Sequence, residues 1–316
     1  MVLMRAVLIT PEATSRLALG EIERPATQPN EALVKVAAFS LNRGEIRAAA
    51  SFPAGHTIGW DLAGTVEQQA QDGSGPRTGT RVVGLVAPGG WAEYAAVPTH
   101  ALAELPDRVS FAQASTLPIA GLTALRALEK GGLLIERRVL ITGASGGVGQ
   151  FACQLARISG AHVVAAVRQP RSEAAAREAG AEEVVVGEDL SPAAEYGPFD
   201  LILESVGGAT LATALTLLAP DGTCVSLGIS GGREATLDVN RFYNVGGATL
   251  YGFTIFYEAR MKPVAGDLSR LVRLVAEDRL KTRIEFEAPW TQVGEAAQKL
   301  TDRSYVGKAV LHVEDN

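Results

Sequence analysis

Cysteine is nearly missing from this chain. Of 316 residues only two are cysteine, Cys153 and Cys224, and no CxxC pair occurs. Neither a disulfide framework nor a cysteine-based zinc site is therefore expected. Aromatic residues are few, at 6%, and no run of Lys or Arg stands out against a formal net charge of −6. A phosphate backbone demands clustered cations, so nucleic acid is not an expected partner. Long apolar runs are lacking too. Uncharged stretches such as Val109–Leu125 and Phe242–Tyr257 carry Ser, Thr, Gly or Asn throughout and fall short of a spanning helix, so no membrane partner is expected. The opening MVLMRAVLITPEATSR breaks its apolar run too early for a secretory signal, and the cytoplasm is the expected compartment.

Small and apolar residues are plentiful. Apolar residues reach 47% against 20% charged, the balance of a globular protein with a sizeable core. The first hundred residues hold short β-type runs at Met4–Ile9, Glu31–Ser40, Ala63–Gln68, Thr80–Leu85 and Trp91–Val97, punctuated by Gly, Pro and Asn. That pattern predicts a compact β domain, a partly closed barrel, with no long helix inside it. Ala112–Glu129 reads as helical with a break at Pro118.

Beyond it, strands and helices alternate. Strands are expected at Arg138–Thr142, His162–Val167, Glu183–Val186, Asp200–Glu204, Thr223–Leu227 and Ala248–Phe253, and helices at Gly147–Ser159, Ser172–Ala179 and Ala209–Leu218. Several strands are near-continuous apolar runs, as in a sheet covered on both faces, so the expected fold is α/β with a doubly wound parallel sheet. A helix carrying Leu268, Leu271, Val272, Leu274 and Val275 at helical spacing follows, and Lys308–Val313 is strand-like again, as if the tail returned to the first domain.

The chemistry is concentrated at Val139–Gln150, VLITGASGGVGQ. In the first β-to-α turn of a wound sheet, Gly146 lets backbone approach a pyrophosphate and Gly149 lets helix pack on strand, while the helix start offers free N–H groups. The first glycine of the G-x-G-x-x-G pattern is Ala144 here. An enzyme preferring NAD usually ends the next strand in Asp or Glu; this chain delivers Arg168, with Arg171 close behind. A guanidinium suits a 2′-phosphate, so NADPH is the expected cofactor. The same letters fit the T-G-x-x-x-G-x-G pattern of short-chain dehydrogenases. Those also need Tyr-x-x-x-Lys, and Tyr196, Tyr243, Tyr251, Tyr257 and Tyr305 all lack the lysine.

Taken end to end, the chain resembles the medium-chain dehydrogenase/reductase superfamily, in its zinc-independent quinone oxidoreductase branch. The resemblance is carried in family order by SLN at 40–42, GWDLAG at 59–64, GTRV at 79–82, GGWAEY at 89–94, LPIAGLT at 117–123 and the glycine turn. It continues with ESVG at 204–207, SLG at 226–228 and GKAVL at 307–311. It implies a GroES-like β-barrel domain over residues 1–116, completed by 257–316, a Rossmann domain over 117–256, and a homodimer. Positions matching the zinc ligands of related alcohol dehydrogenases are Asn42, Trp60 and Ile119, a set that cannot hold Zn²⁺, so no metal is expected. His56 lies nearby without partner ligands.

The resemblance further implies NADPH-dependent hydride delivery to a quinone or α,β-unsaturated carbonyl compound. Enoyl reduction for fatty-acid or polyketide synthesis, or NADPH binding without turnover, are the alternatives. It places Asn42 and Thr123 beside the nicotinamide half and Ser145, Gly146, Gly147 and Val148 around the pyrophosphate. Gly207, Gly228 and Ser230 fall along the nicotinamide ribose, and Phe253 and Thr254 by the carboxamide. Asn42 and Tyr257 are the candidate catalytic residues. Trp60 and Phe52 are candidate pocket walls, and Asp61 is expected to pair with a nearby cation.

Overall fold

A computed structural model describes residues 2–313. The chain divides into two units: residues up to Leu122 together with those from Lys262 onward, and Thr123–Met261 between them. Both divisions fall a few residues later than the sequence suggests, for a local reason in each case. The turn Leu117–Gly121 stays with the first unit, where Asp61 accepts the amide of Ile119. The helix Ile255–Met261 stays with the second, where Glu258 binds Lys130 and Tyr251.

In the first unit β1 (Leu3–Ile9) and β2 (Leu17–Glu23) form an antiparallel ladder. Next come β3 (Glu31–Ser40), β4 (Asp61–Gln68), β5 (Arg81–Leu85), β6 (Tyr94–Pro98) and β7 (Leu102–Glu104). β3 alternates burial across its middle, Val34–Ala38, and Ala32, Val34, Val36, Leu62, Val66, Val82, Ala95 and Val97 meet in one apolar cluster. Three of these elements escaped the pattern: β2, β7 and a short helix at Arg43–Ala49. The expected helix through Ala112–Glu129 is three pieces, a helix Phe111–Ser115, a π turn Leu117–Gly121 and a helix Leu122–Glu129. Pro118 cannot donate to the helical ladder, and the turn widens around it.

The second unit is a parallel sheet of β8 (Arg138–Thr142), β9 (His162–Val167), β10 (Glu183–Val186), β11 (Phe199–Glu204), β12 (Leu218–Ser226) and β13 (Thr249–Gly252). Its order, β10-β9-β8-β11-β12-β13, reverses direction at β8. Strand order therefore turns where the glycine turn leaves the sheet, the place where such folds bind ligands. Leu140, Val164, Val185, Ile202 and Cys224 line one buried face. The expected helix Ala209–Leu218 stops at Leu215, and β12 begins at Leu218, earlier than the apolar run at Thr223 suggests. Helices at Val239–Asn244 and Ile255–Met261 were also not expected.

The chain then re-enters the first unit. A helix at Ala265–Ala276 buries Leu268, Leu271, Val272, Leu274 and Val275. β14 (Ile284–Pro289) and β15 (Lys308–His312) follow, with a helix at Val293–Thr301 between them. The sheet order is β14-β15-β3-β4-β5-β7, with β6 on β3. β15 runs antiparallel to β3, Val310 opposite Ser40 and Leu311 opposite Phe39. Beside this seam Phe39 stacks on Trp91 at 5.2 Å and meets Trp290 edge-on at 6.5 Å.

Candidate active site

In the second unit the loops at the carboxyl ends of β8, β11 and β12 are bound to one another. Thr142 closes β8; its hydroxyl donates to Glu204 at 3.1 Å and accepts the Ser205 amide at 2.9 Å, while Ser205 Oγ donates to the Thr142 carbonyl. Glu204 is fully buried and also accepts the amides of Val206 at 2.7 Å and Gly207 at 2.9 Å. Burial raises the pKa of its carboxyl above the ordinary value. Gly207 has φ +76°, and a Cβ there would collide with the Gly232 carbonyl. Gly228 lies against the Ser205 backbone, and Ser230 Oγ donates to the Ser205 carbonyl at 3.2 Å. Gly207, Gly228 and Ser230 thus share one loop cluster with the glycine turn. Glu204, within the ESVG string of 204–207, is its buried centre, a role the resemblance does not imply. An acid ending an apolar strand was the available signal.

The glycine turn separates two jobs. A Cβ on Gly149 would stand 2.5 Å from Ala144 Cα and 2.6 Å from the Gly143 carbonyl, so this position is closed by helix-to-strand packing. A Cβ on Gly146 would meet only the Gly143 carbonyl, at 3.3 Å, and Gly146 is exposed. The helix Gly147–Ile158 starts there, and its first-turn amides have no acceptor within the helix. An open backbone cradle at a helix N-terminus fits a pyrophosphate. Arg168 is exposed at the end of β9, next to β8, and has no hydrogen-bond or ion-pair partner among the described residues. Arg171 is exposed and donates to Gln169 Oε1 at 2.7 Å.

Phe253 is buried after β13, its amide bonded to the Ser226 carbonyl, and Thr254 caps the next helix by accepting the Tyr257 amide at 3.2 Å. Tyr257 is 48% exposed on that helix, and Tyr243 is more exposed still, so neither is a core packing residue. Thr123 is buried at the start of the second unit.

The first unit holds a cluster that sequence inspection did not assemble. Asp61 is fully buried at the start of β4. Its Oδ2 accepts Ser40 Oγ at 2.5 Å, Asn42 Nδ2 at 2.7 Å and Lys308 Nζ at 3.3 Å. Lys308, 3% exposed, is the cation that Asp61 was expected to find; it also donates to Asn42 Oδ1 at 2.6 Å and to the Leu41 carbonyl at 2.9 Å. Glu45 is fully buried and accepts the Asn42 amide at 2.6 Å and the Trp60 amide at 2.7 Å. Burial, and next the charge of Asp61, hold its carboxyl well above the usual carboxylate range, with Lys308 opposing. Removing one partner of such a buried pair costs about 3–5 kcal/mol. The Asn-x-x-Glu spacing of 42–45 is a helix-start signature that could have flagged Glu45.

This cluster alters the reading of Asn42. Its carboxamide oxygen is taken by Lys308 and its Nδ2 by Asp61 and, at 3.3 Å, Glu45, so the amide is committed within its own unit. Trp60 lies with its ring against Gly44. Phe52 and His56 are exposed and stack on each other at 6.4 Å. With an engaged amide, an indole and an aliphatic chain at Asn42, Trp60 and Ile119, these positions do not fit a zinc site. No group of three or more His, Cys, Asp or Glu suited to a metal occurs among the described residues.

One unit is a wound sheet with an open glycine turn, the geometry of a dinucleotide-binding fold, and the other is a β unit built on the β3–β4–β5 seam. Comparison with known proteins sharpens this. Residues 28–107 match the alcohol dehydrogenase GroES-like domain, and residues 147–272 the zinc-binding dehydrogenase domain. The mitochondrial NAD(P)H oxidoreductase of Bos taurus is 30% identical, over 90% of this chain and 82% of its own. A spectinabilin polyketide synthase system protein of Streptomyces orinoci is 36% identical over 71% of this chain and 10% of its own. The quinone oxidoreductase of Coxiella burnetii superposes with a TM-score of 0.85 at 26% identity, covering 99% of this chain and all of that one. The chain belongs to the medium-chain dehydrogenase/reductase superfamily, in its quinone oxidoreductase-like branch, and is an oxidoreductase of a nicotinamide-dependent family. No helix of the described residues is long and apolar enough to cross a membrane.

Proposed function

We propose that this protein is an NADPH-dependent reductase that delivers hydride to a quinone or an α,β-unsaturated carbonyl acceptor without zinc. The observation that carries the reading is the state of Asn42, Trp60 and Ile119, whose side chains offer no metal ligand set and whose amides are all held by buried carboxylates. An alcohol substrate needs a Lewis acid to stabilise its alkoxide, whereas a quinone or enone is already electrophilic. NADPH, when bound, supplies the hydride. The chain's part is to grip and orient: the amides of Gly147 and Val148 face the pyrophosphate, and Arg168 and Arg171 meet the 2′-phosphate. Gly228 and Ser230 border the ribose, and Phe253 and Thr254 the carboxamide. Reduction of a quinone by hydride also takes up one proton. Solvent supplies it, or the half-exposed Tyr257 hydroxyl does so, its ring standing on the first turn of Ile255–Met261.

The resemblance to a polyketide synthase protein supports a second reading, reduction of an enoyl thioester. NADPH oxidation against separate quinone, enone and enoyl-thioester panels decides between them. Turnover of quinones or simple enones supports the first reading, and turnover confined to thioesters the second. Tight NADPH binding without turnover of any panel defeats both in favour of a non-catalytic NADPH-binding protein.

A further inference from the structure

Three backbone amides remote from one another in sequence are gathered by two carboxylates. Glu45 takes the amide of Asn42 through one oxygen and that of Trp60 through the other; Asp61 takes the amide of Ile119 at 2.8 Å. These are the positions that resemblance matches to metal ligands. Pro118, with no N–H of its own, opens the turn in which the Ile119 amide reaches Asp61. Lys308 completes the set by binding Asp61 and the Asn42 carboxamide from the first residue of β15. A metal ion would join such positions through their side chains. Here their backbones are joined instead.

We propose that Glu45, Asp61 and Lys308 form an internal clamp that fixes Asn42, Trp60 and Ile119 relative to one another in place of a metal, with Lys308 as its organising cation. The clamp is independent of the acceptor, and only the kinetic arm of its test rests on the proposed reductase activity. Two fully buried carboxylates demand a counter-charge or protons. Without the ammonium, Asp61 Oδ2 and Asn42 Oδ1 each lose a buried donor, and the carboxylate that holds the Ile119 amide is no longer anchored. Loss of Lys308 is therefore felt at Ile119, whose amide is bonded to Asp61. Lys308, Asp61 and Glu45 are positioning residues.

The test is native-state hydrogen exchange on the full chain, comparing the wild type with Lys308→Met, which keeps the length and removes the charge. The expected result is exchange at least tenfold faster at Asn42, Trp60 and Ile119 together, with β8 and β9 unchanged. In the same variant the acceptor KM rises at least fivefold while NADPH affinity stays within twofold. Faster exchange limited to Asn42 with Ile119 still protected, or equal loosening of both units, overturns the clamp. Should Lys308→Met fail to fold, Glu45→Gln probes the other carboxylate: Asn42 and Trp60 loosen and Ile119 does not, and unchanged protection at the first two overturns the proposal. A wild type that reduces no acceptor defeats the proposed function, and the exchange data still decide the clamp.

Discussion

Lys308 Nζ lies 2.6 Å from Asn42 Oδ1, although 266 positions separate the two residues in sequence. Sheet register brings them together: Val310 stands opposite Ser40 in an antiparallel pair, which carries Lys308 to the level of Asn42. The residue nominated as a cofactor partner is thus held by the returning tail of the chain, and the first-unit site is complete only when β15 is in place.

The two glycines of the turn are expected to separate folding from binding. Gly149→Ala forces a Cβ into backbone, with a cost of about 1–3 kcal/mol. Gly146→Ala meets only the Gly143 carbonyl, at 3.3 Å, a contact that a shift of a few tenths of an ångström relieves, and it fills the cradle. Thermal unfolding is expected to fall for the first and stay near wild type for the second, whose NADPH affinity drops at least tenfold. The reverse pattern would contradict the assignment of roles.

Arg168→Ala is expected to weaken NADPH by roughly tenfold to a hundredfold, the worth of one charged hydrogen bond at about 1.5–3 kcal/mol, and to leave NADH nearly unchanged. Adding Arg171→Ala deepens the loss. Dissociation constants for both nucleotides, measured by titration, decide it; equal weakening removes the phosphate assignment.

Glu204 gives a pH dependence of defined sign. Its pKa is raised by burial above 4.5, so the folded chain holds this proton to higher pH than the unfolded chain does. The resulting stabilisation is complete below about 4.5 and is lost as pH climbs through the raised value. Relative to Glu204→Gln, a neutral isostere, the wild type is expected to lose stability between pH 5 and pH 8. Urea midpoints at the two pH values test this, and a gain with rising pH would contradict it.

Both thiols are expected to be inert in the native state. Burial pushes Cys153 up to about 12 and raises Cys224 further, so little thiolate exists at neutral pH. A chromogenic disulfide reagent is expected to label neither cysteine until denaturant is added, when both react.

β13 is an edge strand of the second unit, with Leu250 44% exposed, and Val239 and Tyr243 on the preceding helix are exposed as well. An unpaired edge with apolar side chains invites strand pairing. The homodimer that the resemblance implies would pair through this edge. Thr249→Pro is expected to convert a dimer into a monomer in light scattering, while NADPH affinity changes little. A wild type that is monomeric throughout would remove the proposal.

The alternation of apolar strands and helices from Arg138 to Glu204 was legible because each element carries its own periodicity and the glycine turn needs only local residues. Gly149, closed by packing, and Gly146, left open, could be told apart from the motif alone for that reason. Short elements such as Arg43–Ala49 and β2 were not legible, since neither is long enough to show a period. By itself the sequence determined the wound sheet, its glycine turn and the arginine that follows. Only the tertiary structure decided the fate of Asn42 and the existence of the Glu45–Asp61–Lys308 cluster. A buried ion network is made by strands distant in the chain, and the desolvation that binds its charges together arises only once those strands have packed.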